Sequence, residues 1–95
     1  MITPASRICL ARQARLKLDP RSGRQMLLYP EKGLELNETA ARVAALCAEE
    51  RTVAEILERL VAAADGQTAR ARIEDEVLAF LRALEDRGLL VVDAP

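Results

Sequence analysis

Ninety-five residues make one small domain, and two full hydrophobic cores do not fit in that length. The chain is 51% hydrophobic but 2% aromatic, with Tyr29 and Phe80 as its two rings, and it has no histidine. The core must therefore come from Leu, Val, Ile, Ala and Met, and both the commonest general base and the commonest metal ligand are missing.

The first third reads as strands. In Arg15-Leu16-Lys17-Leu18-Asp19 apolar and charged residues alternate, the period of a half-buried strand. Asp19-Pro20-Arg21-Ser22-Gly23 is hairpin-loop chemistry: Pro presets φ and Gly supplies a positive φ. Arg24-Gln25-Met26-Leu27-Leu28-Tyr29 is the second strand, Pro30-Glu31-Lys32-Gly33 the next turn, and Leu34-Glu35-Leu36 a short third strand. The expectation is a three-stranded antiparallel meander with Leu34–Leu36 at its edge.

At Asn37 the period changes. Asn37 is a good N-cap, with Glu38 suited to the first turn of a helix, and Ala40, Val43, Ala44 and Cys47 recur at helical spacing. Thr52-Val53-Ala54-Glu55 has the form of a capping box. Behind it Val53, Ile56, Leu57, Leu60, Val61 and Ala64 form the stripe of a second helix, which Asp65-Gly66 ends. A third helix is expected from about Thr68, with Ile73, Val77, Phe80, Leu81 and Leu84 on one face and Gly88 just past its end. Leu89-Leu90-Val91-Val92 returns as an extended tail. The predicted fold class is α+β and winged-helix-like, a three-stranded antiparallel sheet followed by three helices, in one domain over residues 1–95.

Charge is uneven along the chain. Residues 1–33 carry seven basic residues against two acidic, a balance of +5, and residues 34–95 carry seven against 13, a balance of −6. The total of −1 is too little for bulk electrostatic binding to nucleic acid. The third helix, the place for DNA recognition in a winged-helix protein, carries Arg70, Arg72, Arg82 and Arg87 against Glu74, Asp75, Glu76, Glu85 and Asp86. A DNA-binding transcription factor is therefore the alternative reading and not the first one.

No apolar run approaches the roughly 20 residues that span a bilayer, and no secretory segment follows Met1. A cytoplasmic protein with no membrane association is expected. Cys9 and Cys47 match no metal or redox spacing, and free Cys is usually a small buried hydrophobe. The carboxylates Glu74, Asp75 and Glu76 are consecutive, so they point about 100° apart on a helix and form no paired site. With no nucleophile elbow and no phosphate loop, neither an enzyme nor a cofactor or metal is expected.

What remains is a surface for a peptide. The edge strand Leu34–Leu36 exposes backbone groups that an extended peptide can satisfy by adding a strand, and the same edge leaves a route to a homodimer by strand pairing. Leu78 falls off the main apolar face of the third helix and is a candidate to line a groove beside it.

Leu27-Leu28-Tyr29-Pro30-Glu31-Lys32-Gly33 followed by Leu36-Asn37-Glu38-Thr39-Ala40 resembles the PqqD family of pyrroloquinoline quinone (PQQ) biosynthesis proteins. The likeness continues through Arg51-Thr52-Val53-Ala54-Glu55-Ile56 and Asp75-Glu76-Val77-Leu78-Ala79-Phe80-Leu81 to Arg87-Gly88-Leu89-Leu90, about residues 7–92. The resemblance implies a peptide chaperone that binds the precursor peptide PqqA and presents it to PqqE, a radical S-adenosylmethionine enzyme. It places the peptide on the backbone of Leu34, Glu35 and Leu36, flanked on the third helix by Arg70, Ile73, Glu74, Val77, Leu78 and Leu81.

Overall fold

The computed structural model describes residues 2–29, 32–62 and 64–93. Nine elements follow in chain order: β1 (Arg7–Leu10), β2 (Arg15–Leu18), β3 (Gln25–Tyr29), β4 (Lys32–Glu35), α1 (Glu38–Leu46), β5 (Arg51–Thr52), α2 (Val53–Val61), α3 (Gly66–Asp86) and β6 (Leu90–Asp93). The expected meander is present as a sheet of order β2-β3-β4, antiparallel throughout. A second three-stranded sheet, β5-β1-β6, joins the N-terminal strand to the expected C-terminal tail. The α+β class and the three helices are those expected, whereas β1, β5 and the pairing of β6 were not legible locally.

Two turn assignments change. Pro30 and Glu31 lie outside the described residues, but Lys32 and Gly33 belong to β4, opposite Tyr29 and Leu28. Gly33 fits that strand for lack of a side chain: a Cβ there would meet Met26 Cε at 3.0 Å and Leu28 Cδ2 at 3.2 Å. Between the last two helices the break comes earlier than Asp65-Gly66. α2 ends at Val61 with Ala62 as its C-cap, and Gly66 already opens α3.

The helix ends follow their sequence signals. Asn37 Oδ1 accepts from the Ala40 N–H at 2.8 Å. Thr52 Oγ1 accepts from the Glu55 N–H at 3.2 Å; Glu55 Oε1 accepts from the Thr52 N–H at 3.0 Å and from the Thr52 hydroxyl at 3.0 Å, and these last two bonds, the backbone one first, hold the Glu55 carboxyl below its ordinary pKa. At the end of α3, Gly88 has φ 72°. Its N–H bonds to Glu85 O at 3.0 Å and the Leu89 N–H to Leu84 O at 2.9 Å, the two bonds of a Schellman motif. Gly88→Ala should cost about 1–2 kcal/mol, because only the left-handed backbone opposes the methyl and nothing lies within 4 Å of it. A thermal melt should show Tm lowered by roughly 5–15 °C.

The core is aliphatic, as the composition requires. Ile8, Leu27, Val43, Val53, Ile56, Val77, Leu81, Leu84 and Leu89 are buried from every element but the outer strands, and Cys47 joins them. Burial pushes the Cys47 thiol up to about 12, so it is packing material rather than a nucleophile. Both rings, Tyr29 and Phe80, are half-buried at the core's margin. Among the described residues no helix is long and apolar enough to cross a membrane.

Candidate functional site

β4 is the last strand of its sheet, so one row of its backbone groups has no strand partner, and the register says which row. The pairs Met26↔Glu35, Leu27↔Leu34, Leu28↔Gly33 and Tyr29↔Lys32 continue to Gln25 opposite Leu36. The Leu36 N–H donates to Gln25 O at 2.9 Å, which makes that opposed pair a hydrogen-bonded one. Hydrogen-bonded and non-bonded pairs alternate in an antiparallel ladder. Leu34 and Leu36 therefore turn their N–H and C=O inward to β3, and Gly33 and Glu35 turn theirs to the open edge.

Side chains alternate the other way. Leu34 and the buried Leu36 share the core face with Leu27. Glu35 points to the outer face, where its carboxylate is ion-paired with Arg24. Both groups are more than half exposed, so the pair adds little stability.

Two contacts fix which part of α3 runs beside β4. At one end Arg87 Nη1 donates to the Tyr29 hydroxyl at 3.3 Å, and Tyr29 is the cross-strand partner of Lys32, where β4 begins. At the other end a pocket of about 220 Å³ lies between Asn37, Thr39 and Ala40 and the α3 residues Glu76, Ala79 and Phe80, and Asn37 is two residues past β4. From residue 76 to 87 a helix rises about 16 Å, and from residue 32 to 37 an extended chain advances about 17 Å. The two spans match. Glu76, Phe80, Ala83 and Arg87 recur at i, i+4, i+7 and i+11 and share one face of α3, the face that carries the Arg87–Tyr29 bond and lines the pocket beside Asn37.

The α3 residues expected from sequence are distributed differently. Val77 and Leu81 are each 0% exposed and sit in the core. Leu78 is two residues from both Glu76 and Phe80, so it points roughly 160° away from each; it is half-buried against the core. Glu74 is exposed on the same far flank as Leu78. Ile73 lies one turn before Glu76 on the near side and packs against the core. Arg70 is exposed, about 4.5 Å beyond Ile73 toward the start of the helix.

Sequence reasoning placed Tyr29 at the end of the second strand and Phe80 on the apolar face of the third helix, and gave neither a binding role. Only the structure shows that both rings of the chain are half-buried at the margin of the core.

The comparisons with known proteins agree with this architecture. The family model described as coenzyme PQQ synthesis protein D (PqqD) matches residues 24–90. A protein named PqqA binding protein from Rhodopseudomonas palustris (strain TIE-1) is 38% identical over 89 residues, covering 94% of this chain and 85% of its own. Its namesake from Bradyrhizobium diazoefficiens is 37% identical over 89 residues, covering 94% and 84%. Among solved structures, the solution NMR structure of the PqqD truncation of Methylobacterium extorquens PqqCD, described as a functional and stand-alone RiPP recognition element, superposes with a TM-score of 0.77. It is 27% identical, and the match covers 96% of this chain and 95% of that one. The chain belongs to the coenzyme PQQ synthesis protein D (PqqD) family.

Proposed function

We propose that the protein binds the precursor peptide PqqA as an added strand on β4 and presents it to the radical S-adenosylmethionine enzyme PqqE in PQQ biosynthesis. The observation that carries the peptide-binding part is the open edge of β4, with the register turning Gly33 and Glu35 outward. The relatives named PqqA binding protein support PqqA as the peptide.

The backbone of the segment Leu34, Glu35 and Leu36 acts through Glu35, joined by Gly33 one pair earlier. Main-chain bonds there supply affinity independent of sequence, and side-chain pockets supply selectivity. Alternate side chains of the added strand face α3, where Phe80 and Tyr29 offer ring surface, and the pocket beside Phe80 has room for an aliphatic group. Ile73 extends that face toward the start of α3, and Arg70 lies beyond it for a longer peptide. Val77, Leu78 and Leu81 support the groove through the core, and Glu74 lies outside it.

Titration calorimetry with synthetic PqqA tests this. Saturable one-to-one binding is expected, and Phe80→Ala should weaken it by about tenfold while unfolding stays cooperative, the loss of roughly one buried ring contact. Unchanged affinity in that variant would remove Phe80 from the site, and no saturation with the unaltered protein would overturn the reading.

A further inference from the structure

The sheet β2-β3-β4 has an outer face as well as a core face, and the register sorts its residues into rows. Arg15, Leu28 and Gly33 are opposed in one row, and Lys17, Met26 and Glu35 in the next. Leu27 and Leu34 stand on the core side, so these two rows face the other way. Met26 and Leu28 are nonetheless half-buried, although among the described residues neither belongs to the apolar set packed on the core. They lie over Gly33 instead: the point where its Cβ would stand is 3.0 Å from Met26 Cε and 3.2 Å from Leu28 Cδ2. Toward β2 and its turn, a hollow of about 210 Å³ lined by Lys17, Asp19, Pro20, Met26 and Leu28 leaves both side chains room to shift, and Met is the most adaptable of apolar residues.

A strand added to β4 has two faces as well. Its residues alternate, one set on the core side of the sheet with Leu34 and the other on this outer side. Whichever direction the strand runs, one outward residue stands opposite Gly33, with its Cβ about 4.5–5.5 Å from the point where a Gly33 Cβ would stand. Met26 Cε and Leu28 Cδ2 lie beside that same point. Any other residue at position 33 would screen those methyls from the edge, and glycine leaves them open to it. An ionic side chain finds no partner there. The charge in the row is Arg15, two strands away or about 9–10 Å across the sheet, and Glu35, on the diagonal, is paired with Arg24. A branched aliphatic or aromatic side chain covers the methyls, and a ring laid over an edge glycine is a stabilising cross-strand arrangement in sheets.

We propose that Met26, Leu28 and Gly33 form a selectivity subsite for the outward side of the bound peptide, and that it takes a large apolar side chain, aliphatic or aromatic, at the peptide residue opposite Gly33. The proposal rests on strand addition to β4 as read above. It gives the second face of the peptide a contact of its own, on the side of the sheet away from Phe80.

The test uses Leu28→Thr and Met26→Thr, which remove the apolar ends and keep a strand-forming residue, with thermal unfolding to show that each variant folds. Synthetic PqqA is titrated into each, as is a panel of PqqA peptides with every large apolar residue replaced in turn by Ser. The expected result is affinity lowered by about three- to tenfold in each variant. One peptide residue should cost the unaltered protein a similar factor when replaced and cost the variants less than about twofold, the mark of a direct contact. Because side chains alternate, that residue should stand an odd number of positions from the one coupled in the same way to Phe80. Affinity within about twofold of the unaltered protein in both folded variants would overturn the subsite, and so would coupling to a residue an even number of positions away. In the unaltered complex, NOEs from the Met26 Cε and Leu28 Cδ methyls to that PqqA side chain read the contact with no substitution, and their absence would overturn it as well. The two readings fail separately. Absence of saturable PqqA binding to the unaltered protein overturns strand addition and the subsite with it, whereas binding that Glu35→Pro weakens and neither threonine variant alters overturns the subsite alone.

Discussion

A proline at Glu35 is expected to weaken PqqA binding by roughly 10- to 100-fold while leaving the fold cooperative. The Glu35 N–H faces away from β3 in the ladder fixed by the Leu36–Gln25 bond, so its loss costs the sheet nothing. Edge strands accept proline where the missing N–H faces outward. The added strand instead loses one main-chain bond and is left with an unsatisfied carbonyl, about 1–3 kcal/mol, which corresponds to the stated change in Kd. One residue earlier the outcome reverses. Leu34 lies in a hydrogen-bonded pair with Leu27, and Leu34→Pro removes an inward bond beside a fully buried leucine, at about 3 kcal/mol or more of stability. Calorimetry and melting of the two variants read the register directly. Normal affinity in a folded Glu35→Pro variant would put the peptide elsewhere.

Leu81→Ala should act on the fold and not on the groove. Leu81 is 0% exposed in the aliphatic core with Val77 and Leu84, and truncation of such a leucine leaves a cavity costing about 2–5 kcal/mol. Against a total of about 5–15 kcal/mol for a typical domain, that is a large fraction, and Tm should fall by roughly 10–30 °C. Measured well below the new midpoint, PqqA affinity should stay within about twofold. A variant that melts normally but has lost the peptide would return Leu81 to the binding surface.

The elements most legible in the sequence are those whose signals are local. The alternation through Leu16 and Leu18, the Asn37 cap, the Thr52–Glu55 box and Gly88 each report on neighbours within a few residues. The sheet β5-β1-β6 pairs Arg7 with both Thr52 and Asp93, and nothing in a four-residue strand announces partners so distant. Gly33 misled for a related reason. A glycine after Pro30 suggests a turn, and only the packing of Met26 and Leu28 against it explains its place in β4. In the candidate site the edge strand was visible from the order of the meander, but the flank of α3 was not. The stripe Ile73, Val77, Phe80, Leu81 and Leu84 points to the core without saying which side borders the sheet. The contact of Arg87 with Tyr29 is the observation behind proposing Phe80 as the groove residue.

Amide hydrogen exchange measured by NMR with and without PqqA tests the central claim most directly. Inward-facing amides of β4 are already bonded in the free protein, so Leu34 and Leu36 should exchange slowly in both states. Gly33 and Glu35 should exchange freely alone and slow by about tenfold or more when the peptide adds its strand. Protection that leaves Gly33 and Glu35 unchanged while the peptide is bound would contradict strand addition on β4.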